Sequence, residues 1–173
     1  AGTVTTNGWN FFGRESGIAG GNGTFNMSGG TLTNTNGNAR AYVALGNATG
    51  SFNMSGGTYN NIGTTNDNQF AIGVNNLANA TTPVLTMTGG TINARRLFTV
   101  GGTEAFGGNG GDTGPGKGSM VLNGATAVVN VNGEFWVGQG TASVGDLTIS
   151  SGTINTQSWI AIGRGAGTGT VSM

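Results

Sequence analysis

The sequence has no cysteine, no histidine and only two prolines. Without Cys and His the chain has no disulfides, no thiolate or imidazole metal ligands, and none of the mechanisms that depend on a Cys–His or Ser–His pair. Charge is equally scarce: six basic and six acidic side chains make up 7% of the chain and cancel, whereas about one residue in four is charged in an ordinary soluble domain. A neutral chain has no field that attracts phosphates or anionic lipids. We therefore expect no nucleic-acid partner, no cofactor and no enzymatic activity.

Long apolar segments are also absent. No run approaches the roughly 20 apolar residues that a membrane helix needs, and the first residues lack the charged and apolar regions of a signal peptide. We therefore expect no insertion into a membrane. The chain is instead rich in Gly (37 residues), Thr (26) and Asn (22), while eight Phe, five Met and three Trp supply side chains for a core.

One six-residue phrase recurs along the chain. The strongest copies span residues 26–31, 53–58 and 86–91, weaker copies span 121–126 and 148–153, and a partial copy covers 1–3. Each copy ends on a threonine: Thr3, Thr31, Thr58, Thr91, Thr126 and Thr153. A second phrase, an apolar alternation ending in Gly, has its glycines at positions 13, 46, 73, 101, 138 and 163. This periodicity predicts a single domain of six repeat units, 1–27, 28–54, 55–87, 88–122, 123–149 and 150–173.

Alignment of the units gives five apolar columns. They contain Phe25, Phe52, Leu85, Met120, Leu147 and Val171; Met27, Met54, Met87, Leu122, Ile149 and Met173; Val4, Leu32, Tyr59, Ile92, Ala127 and Ile154; Asn10, Val43, Phe70, Phe98, Phe135 and Ile160; and Phe12, Leu45, Ile72, Val100, Val137 and Ile162. Asn10 is the one polar residue among these 30 positions. Apolar residues separated by a single residue are typical of strands with one buried face.

The columns predict an all-β parallel β-helix of about six coils with three short strands per coil. One unit cannot cover its own apolar side chains, but stacked units pair their strands in parallel at about 4.8 Å spacing. A helical fold is disfavoured because Gly, Asn and Thr are poor helix formers. A Greek-key sandwich is the alternative, although it would not require every unit to repeat the same columns.

The phrase Gly-Thr-Phe-Asn-Met-Ser-Gly-Gly-Thr, residues 23–31, followed by an Ile-Gly phrase resembles the Gly/Asn/Thr-rich repeats of bacterial surface proteins, the autotransporter-associated and PEP-CTERM-type β-strand repeats. The later units depart from it, with Gly124-Ala125 and Ser151-Gly152 in place of Gly-Gly. The resemblance covers essentially the whole chain. It implies an extracellular, right-handed β-solenoid that serves as a stalk, adhesin shaft or matrix component, and it implies no catalytic residues.

Several local patterns point to other chemistry. Residues 111–117 resemble a phosphate-binding P-loop, but Gly118 stands where Ser or Thr would hold magnesium. Residues 107–112 copy half of a calcium-binding nonapeptide without its tandem repeat.

We interpret residues 104–117 as a loop that bulges from the coil, because half of its positions are Gly or Pro. The six acidic residues are spread over different units, which disfavours the paired carboxylates of a glycosidase.

The recurring threonines suggest one further function. In the first two units they form Thr-x-Thr, at Thr3 and Thr5 and at Thr31 and Thr33, which resembles the outward files of ice-binding β-solenoids. The later units do not keep the second Thr. Ice binding is therefore a less favoured alternative, and β-branched Thr also suits a parallel ladder.

Five aromatic residues are candidates for surface contacts. These residues are Trp9, Phe11, Tyr42, Trp136 and Trp159. Trp136 alternates with the inward Phe135 and Val137, so its side chain should point outward and be exposed. An exposed Trp is a contact candidate, and an extracellular carbohydrate or a cell surface is the expected partner.

The two ends of the sequence each hold part of the phrase. Residues 169–173 stop where the repeat continues with Ser-Gly-Gly-Thr, and residues 1–3 supply most of that continuation. This suggests either a segment of a longer array or a subunit that joins head to tail with other copies, which gives an open filament. The expected assembly interface contains Gly2, Thr3, Val4, Phe12, Thr170, Val171 and Met173.

The sequence therefore predicts an extracellular structural protein of the bacterial cell surface that builds a fibre or stalk as a homopolymer. The main alternative is an adhesin or autotransporter shaft whose binding tip lies elsewhere.

Overall fold

The computed structural model describes residues 1–16, 19–64, 68–79, 81–103 and 114–173. Every regular element in these ranges is a β-strand. The strands are β1 (Thr3–Thr6), β2 (Asn10–Ser16), β3 (Ala19–Gly20), β4 (Asn22–Asn34), β5 (Arg40–Leu45), β6 (Thr49–Asn61), β7 (Gln69–Val74), β8 (Val84–Ala94), β9 (Leu97–Gly102), β10 (Lys117–Val131), β11 (Glu134–Gln139), β12 (Val144–Thr156), β13 (Ile160–Arg164) and β14 (Thr168–Ser172).

The strands form two sheets in which neighbours along the stack are parallel. The first sheet has the order β1-β4-β6-β8-β10-β12-β14, and the second has the order β13-β11-β9-β7-β5-β2-β3. This arrangement confirms the prediction of an all-β fold built from a parallel strand repeat. One short antiparallel pair, β2 with β3, was not expected; it joins Glu15 to Gly20 and Ser16 to Ala19 at one end of the second sheet.

The core lies between the two sheets and follows the predicted columns in most units. Phe25, Phe52 and Leu85 are direct neighbours across the first sheet, as are Met27, Met54 and Met87. Phe52 and Met54 are both buried in the same cluster, as the two-residue alternation requires. In the second sheet the rings of Phe70, Phe98 and Phe135 stack at centroid separations of 4.9 and 5.0 Å. Like side chains therefore form ladders along the stack.

In the second sheet, the observed strand pairing of the second unit differs by two residues from the pairing that the repeat alignment predicts. Phe12 pairs with Val43, and Val43 pairs with Ile72, so Leu45 does not belong to that column. Leu45 instead packs in a second cluster with Tyr42, outside the main core. The cause is a substitution at the corner: Ala44 occupies the position that is Gly elsewhere, and Gly46 is not the equivalent glycine.

In the first sheet, the observed strand pairing of the fifth unit also differs by two residues from the pairing that the repeat alignment predicts. Val128 pairs with Thr91 and with Thr153, while Val129 pairs with Ile92 and with Ile154. Thr126 and Ala127 are therefore not the equivalents of these residues, as the sequence alignment had placed them. The register shifts between Leu122 and Ala127, because the corner of this unit is two residues longer than the others.

The Gly-Gly pair of the repeat phrase forms a corner at which the strand bends but does not end. Each long strand of the first sheet, such as β4 or β6, contains two of the strands expected from the sequence, joined through a register irregularity at the corner. Gly57 has a φ of 86°, which L side chains rarely adopt. A Cβ on Gly57 would also lie 2.8 Å from the carbonyl oxygen of Gly30. Glycine is required there for both reasons.

The outer face of the second sheet is also buried, which the alignment of the repeat units does not predict. Tyr42, Ala71 and Thr99 point away from the main core, yet each is fully buried. The signal was present in the sequence, because strands that are buried on both faces carry nearly continuous apolar runs, and β5 and β7 read RAYVAL and QFAIGV.

The expected bulging loop, residues 104–117, falls largely outside the described residues. Residues 104–113 are not described. Lys117 does not belong to a bulge, because it is the first residue of β10 and pairs with Val144.

Candidate functional site

The first candidate surface is the stepped edge at the N-terminal end of the first sheet. β1 covers only the second half of β4, with Thr3 beside Thr31 and Thr6 beside Asn34. Within the described part of the chain, residues 22–28 of β4 pair with β6 alone. Their other side presents backbone N–H and C=O groups without a neighbouring strand.

The C-terminal end of the same sheet has the opposite step. β14 covers only the first half of β12, with Thr168 beside Val144 and Ser172 beside Thr148. Among the described pairings, residues 153–156 of β12 pair with β10 alone. The two steps are complementary: one end projects where the other end is recessed.

Large apolar side chains are exposed mainly at these two ends. Among the described residues the exposed ones are Val4, Ile62, Trp159, Ile160, Ile162 and Met173, and all but Ile62 lie in or beside the outermost strands. Val4 is 57% exposed, whereas Tyr59, two strands further into the same column, is fully buried. A further strand layer would therefore cover Val4 at the N-terminal end, where Phe12 and Phe25 are half-buried, and four exposed apolar side chains at the C-terminal end.

The residues expected at an assembly interface divide between these two ends. Gly2, Thr3 and Val4 are exposed at one end, and Thr170 and Met173 are exposed at the other. Phe12 and Val171 are half-buried and pack against the main core.

The end strands of the first sheet contain no charged residue, whereas those of the second sheet, β2 and β13, contain Arg14, Glu15 and Arg164. β1 reads TVTT and β14 reads TGTVS, so neither contains the Lys or Pro that commonly prevents edge pairing. The guanidinium of Arg14 lies 4.5 Å from the ring centroid of Phe11, and that of Arg164 lies 4.4 Å from the ring centroid of Trp136. Both cations stack on aromatic rings of the second sheet.

The five candidate surface aromatics have different environments. The expectation that Tyr42 lies at the surface is wrong, because the residue is fully buried. Trp159 is 66% exposed and stands beside β13 at the C-terminal end. Trp9 and Phe11 are half-buried and pack on the cluster around Tyr42. The prediction that Trp136 is exposed is wrong: its side chain is on the outer face, but only 7% of the residue is accessible because Arg164 covers the ring.

A ladder of asparagines crosses the outer face of the first sheet, and the sequence alignment missed it. The side-chain amide of Asn93 donates to Asn60 Oδ1 at 2.8 Å, that of Asn130 donates to Asn93 Oδ1 at 2.9 Å, and that of Asn155 donates to Asn130 Oδ1 at 2.9 Å. At the other end Asn60 donates to the hydroxyl of Thr33. The two-residue misalignment of the fifth unit concealed this file, because it removed Asn130 from the column.

The inward Asn10 is satisfied by a polar cluster at the end of the core. Its amide donates to the Tyr59 hydroxyl at 2.8 Å, and its Oδ1 accepts from Thr6 Oγ1 at 3.0 Å. Burial raises the pKa of the Tyr59 phenol well above its ordinary value, and the Asn10 hydrogen bond opposes this rise only partly. The cluster explains why a polar residue occupies an otherwise apolar column.

The described residues contain no group of three or more side chains suited to holding a metal ion. The same part of the chain has no helix of the length and apolar character that crossing a bilayer requires. Comparison with protein-family models, with curated proteins and with solved structures returned no match. Any functional conclusion therefore depends on the geometry of the chain itself.

Proposed function

We propose that this chain is a structural subunit of an extracellular fibre or stalk at the bacterial cell surface. In this proposal the solenoid is a right-handed parallel β-helix of about six coils, and the ends of successive copies stack head to tail. The observation that carries the proposal is the exposure, at both ends, of apolar side chains that are buried in the interior of the same columns. The resemblance of the repeats to bacterial surface repeats supports the location.

The register of the joint follows from the internal pairing. Since Phe25 stands beside Phe52, and Leu147 beside Val171, adding one copy to another places Val171 beside Phe25. In the same way Ile154 meets Val4, since each occupies the column that contains Ile92. In the second sheet, Ile162 meets Phe12. In the first sheet the joint then has the same parallel strand pairing as the interior. In the second sheet β13 of one copy would pair with residues 10–14 of β2, next to the antiparallel pairing of Glu15 and Ser16 with β3.

The forces that hold this joint are backbone hydrogen bonds and burial of apolar area. Burial contributes roughly 25 cal/mol for each Å² removed from water, and the edge strands of the first sheet contain no charged residue. In the second sheet the same register places Arg164 of one copy beside Arg14 of the next, so that two like charges meet at the joint. We therefore expect assembly to resist high salt, because screening weakens only exposed charge interactions.

The proposal is tested by placing a lysine within the joint. In Val171→Lys and in Val4→Lys the ammonium group would be buried unpaired on assembly, at a cost of several kcal/mol. We expect both variants to keep the circular dichroism spectrum of the parent chain and to lose filaments in negative-stain electron microscopy. Thr126→Lys is the control, since it adds the same charge at an exposed site in the middle of the stack.

The same experiments distinguish head-to-tail assembly from the main alternative. In an adhesin or autotransporter shaft the same edges would be continued by further coils of a longer chain. Isolated short rods at high concentration would favour the shaft, and filaments that persist in both joint variants would contradict the head-to-tail proposal.

A further inference from the structure

A cleft of about 710 Å³ opens where the strands of the first sheet turn into those of the second. Its wall is made by three successive corners, which contain Arg95 and Arg96, Asn132 and Gly133, and Ser158. Glu134, Trp136 and Arg164 complete it from the outer face of the second sheet. The cleft therefore combines polar corner residues with an aromatic side chain.

Charge is concentrated in this cleft. Arg95, Arg96 and Arg164 line it and are half of the six basic residues of the chain, while Glu134 is the single carboxylate in the lining. The other eight charged residues of the chain, three basic and five acidic, lie outside this lining, so the cleft is a local positive site on a neutral protein. A ligand with an anionic group would be drawn to this position at short range.

Two of the charged side chains are held in place by Trp136. The indole Nε1 donates to Glu134 Oε2 at 2.7 Å, and the guanidinium of Arg164 lies 4.4 Å from the indole ring centroid. Arg164 and Glu134 are also an ion pair at 3.5 Å, with side chains 41% and 32% exposed. Both therefore reach the solvent of the cleft while their positions are fixed by a shared partner, which reduces the entropy lost when a ligand binds.

The mixed character of the lining indicates the chemistry of the ligand. Guanidinium groups bind a carboxylate through paired hydrogen bonds, whereas a carboxylate such as Glu134 needs donors. A sulfate ion would offer it none and would be repelled, and a phosphate ion at neutral pH has only one or two hydroxyl hydrogens. A sugar that carries a carboxylate supplies both groups, since its hydroxyls can donate to Glu134 and its carboxylate can accept from Arg95.

We propose that this cleft binds an acidic saccharide of the uronate class. Arg95 would bind the sugar carboxylate, Glu134 and Asn132 would bind its hydroxyls, and Trp136 would hold Glu134 and Arg164 in position. The site goes beyond the proposed structural role and does not depend on assembly.

The test is a calorimetric titration of the 173-residue chain with the trimer of galacturonic acid and with its fully methyl-esterified, uncharged form. We expect the acid to bind at least tenfold more tightly than the ester, since the carboxylate contacts are charge-assisted. Arg95→Gln should weaken binding of the acid about tenfold. Arg14→Gln is the matched control, because it removes the same charge from a residue outside the cleft lining, and it should leave affinity unchanged.

Glu134→Gln separates sugar recognition from simple attraction of anions. The substitution removes the charge and replaces one of the two acceptor oxygens with an NH2 donor, so it should weaken binding of both trimers. Tighter binding of the acid by this variant, or equal competition by inorganic phosphate, would show an unspecific anion site and overturn the proposal. Failure of both trimers to bind at millimolar concentration, or equal affinity for acid and ester, would overturn it as well.

Discussion

Ala44 occupies a backbone position that glycine fills in the other repeats. Its φ is 67°, within the range of 63° to 100° found for Gly13, Gly73, Gly101, Gly138 and Gly163. This left-handed conformation costs an L residue about 1–2 kcal/mol. The second repeat therefore contains a strained alanine where the others have a glycine without that penalty.

Ala44→Gly tests this strain against Ala71→Gly, which removes an equally buried methyl group from an ordinary strand position. Both variants lose apolar contact and gain freedom in the unfolded state, which together cost about 1–2 kcal/mol. Relief of the left-handed strain offsets that loss only at Ala44. We expect Ala44→Gly to be nearly neutral and Ala71→Gly to be destabilised by about 1–2 kcal/mol in urea unfolding. Equal destabilisation of the two variants would contradict the account.

The prediction from the sequence was wrong in the second repeat, where an alanine occupies the corner position that glycine occupies in the other repeats. The repeat alignment places the corner of the second repeat at Gly46, because glycine is the expected residue at a corner and alanine rarely adopts the left-handed conformation that Ala44 has. Asn10 was correctly identified as an exception among the inward positions. Its partner could not be inferred, because Tyr59 lies 49 residues away and the contact depends on side-chain packing.

The elements of the first sheet were predictable because they alternate. Apolar side chains at Phe25 and Met27, and again at Phe52 and Met54, fix both the buried face and the parallel register. The fifth unit was misaligned because Thr126 imitates the expected spacing, although the chain there needs two more residues to turn. Corner length is set by backbone geometry, which a residue pattern does not reveal.

The asparagine ladder is a stabilising element of the outer face. Asn93 both donates to Asn60 and accepts from Asn130, so Asn93→Ala removes two hydrogen bonds at a half-buried site. Each is worth about 0.5–1.5 kcal/mol. We expect Asn93→Ala to lower the free energy of unfolding by about 1–2 kcal/mol.

Asn155→Ala is the comparison within the same ladder. Asn155 is exposed and makes one ladder bond, to Asn130, so its loss should cost less than half as much in the same urea titration. Similar losses for the two variants, or none for Asn93→Ala, would show that the ladder does not stabilise the sheet.

The whole molecule is a stack whose ends resemble its interior. The stepped edges of β4 and β12, and the exposed Val4 and Ile162, are the features that a further layer of the same repeat would cover. The sequence predicted this continuity from the broken phrase at residues 169–173 and 1–3. It did not reveal the lateral cleft, because Arg95, Glu134 and Arg164 come together only when the corners stack.

Cryo-electron microscopy of the unmodified chain at high concentration tests the central claim most directly. We predict filaments with one subunit per axial repeat of about 30 Å, the rise of six coils at about 4.8 Å each, and with β14 of one copy pairing in parallel with the first half of β4 of the next. A chain that remains monomeric at the same concentration, with both ends free, would contradict the account.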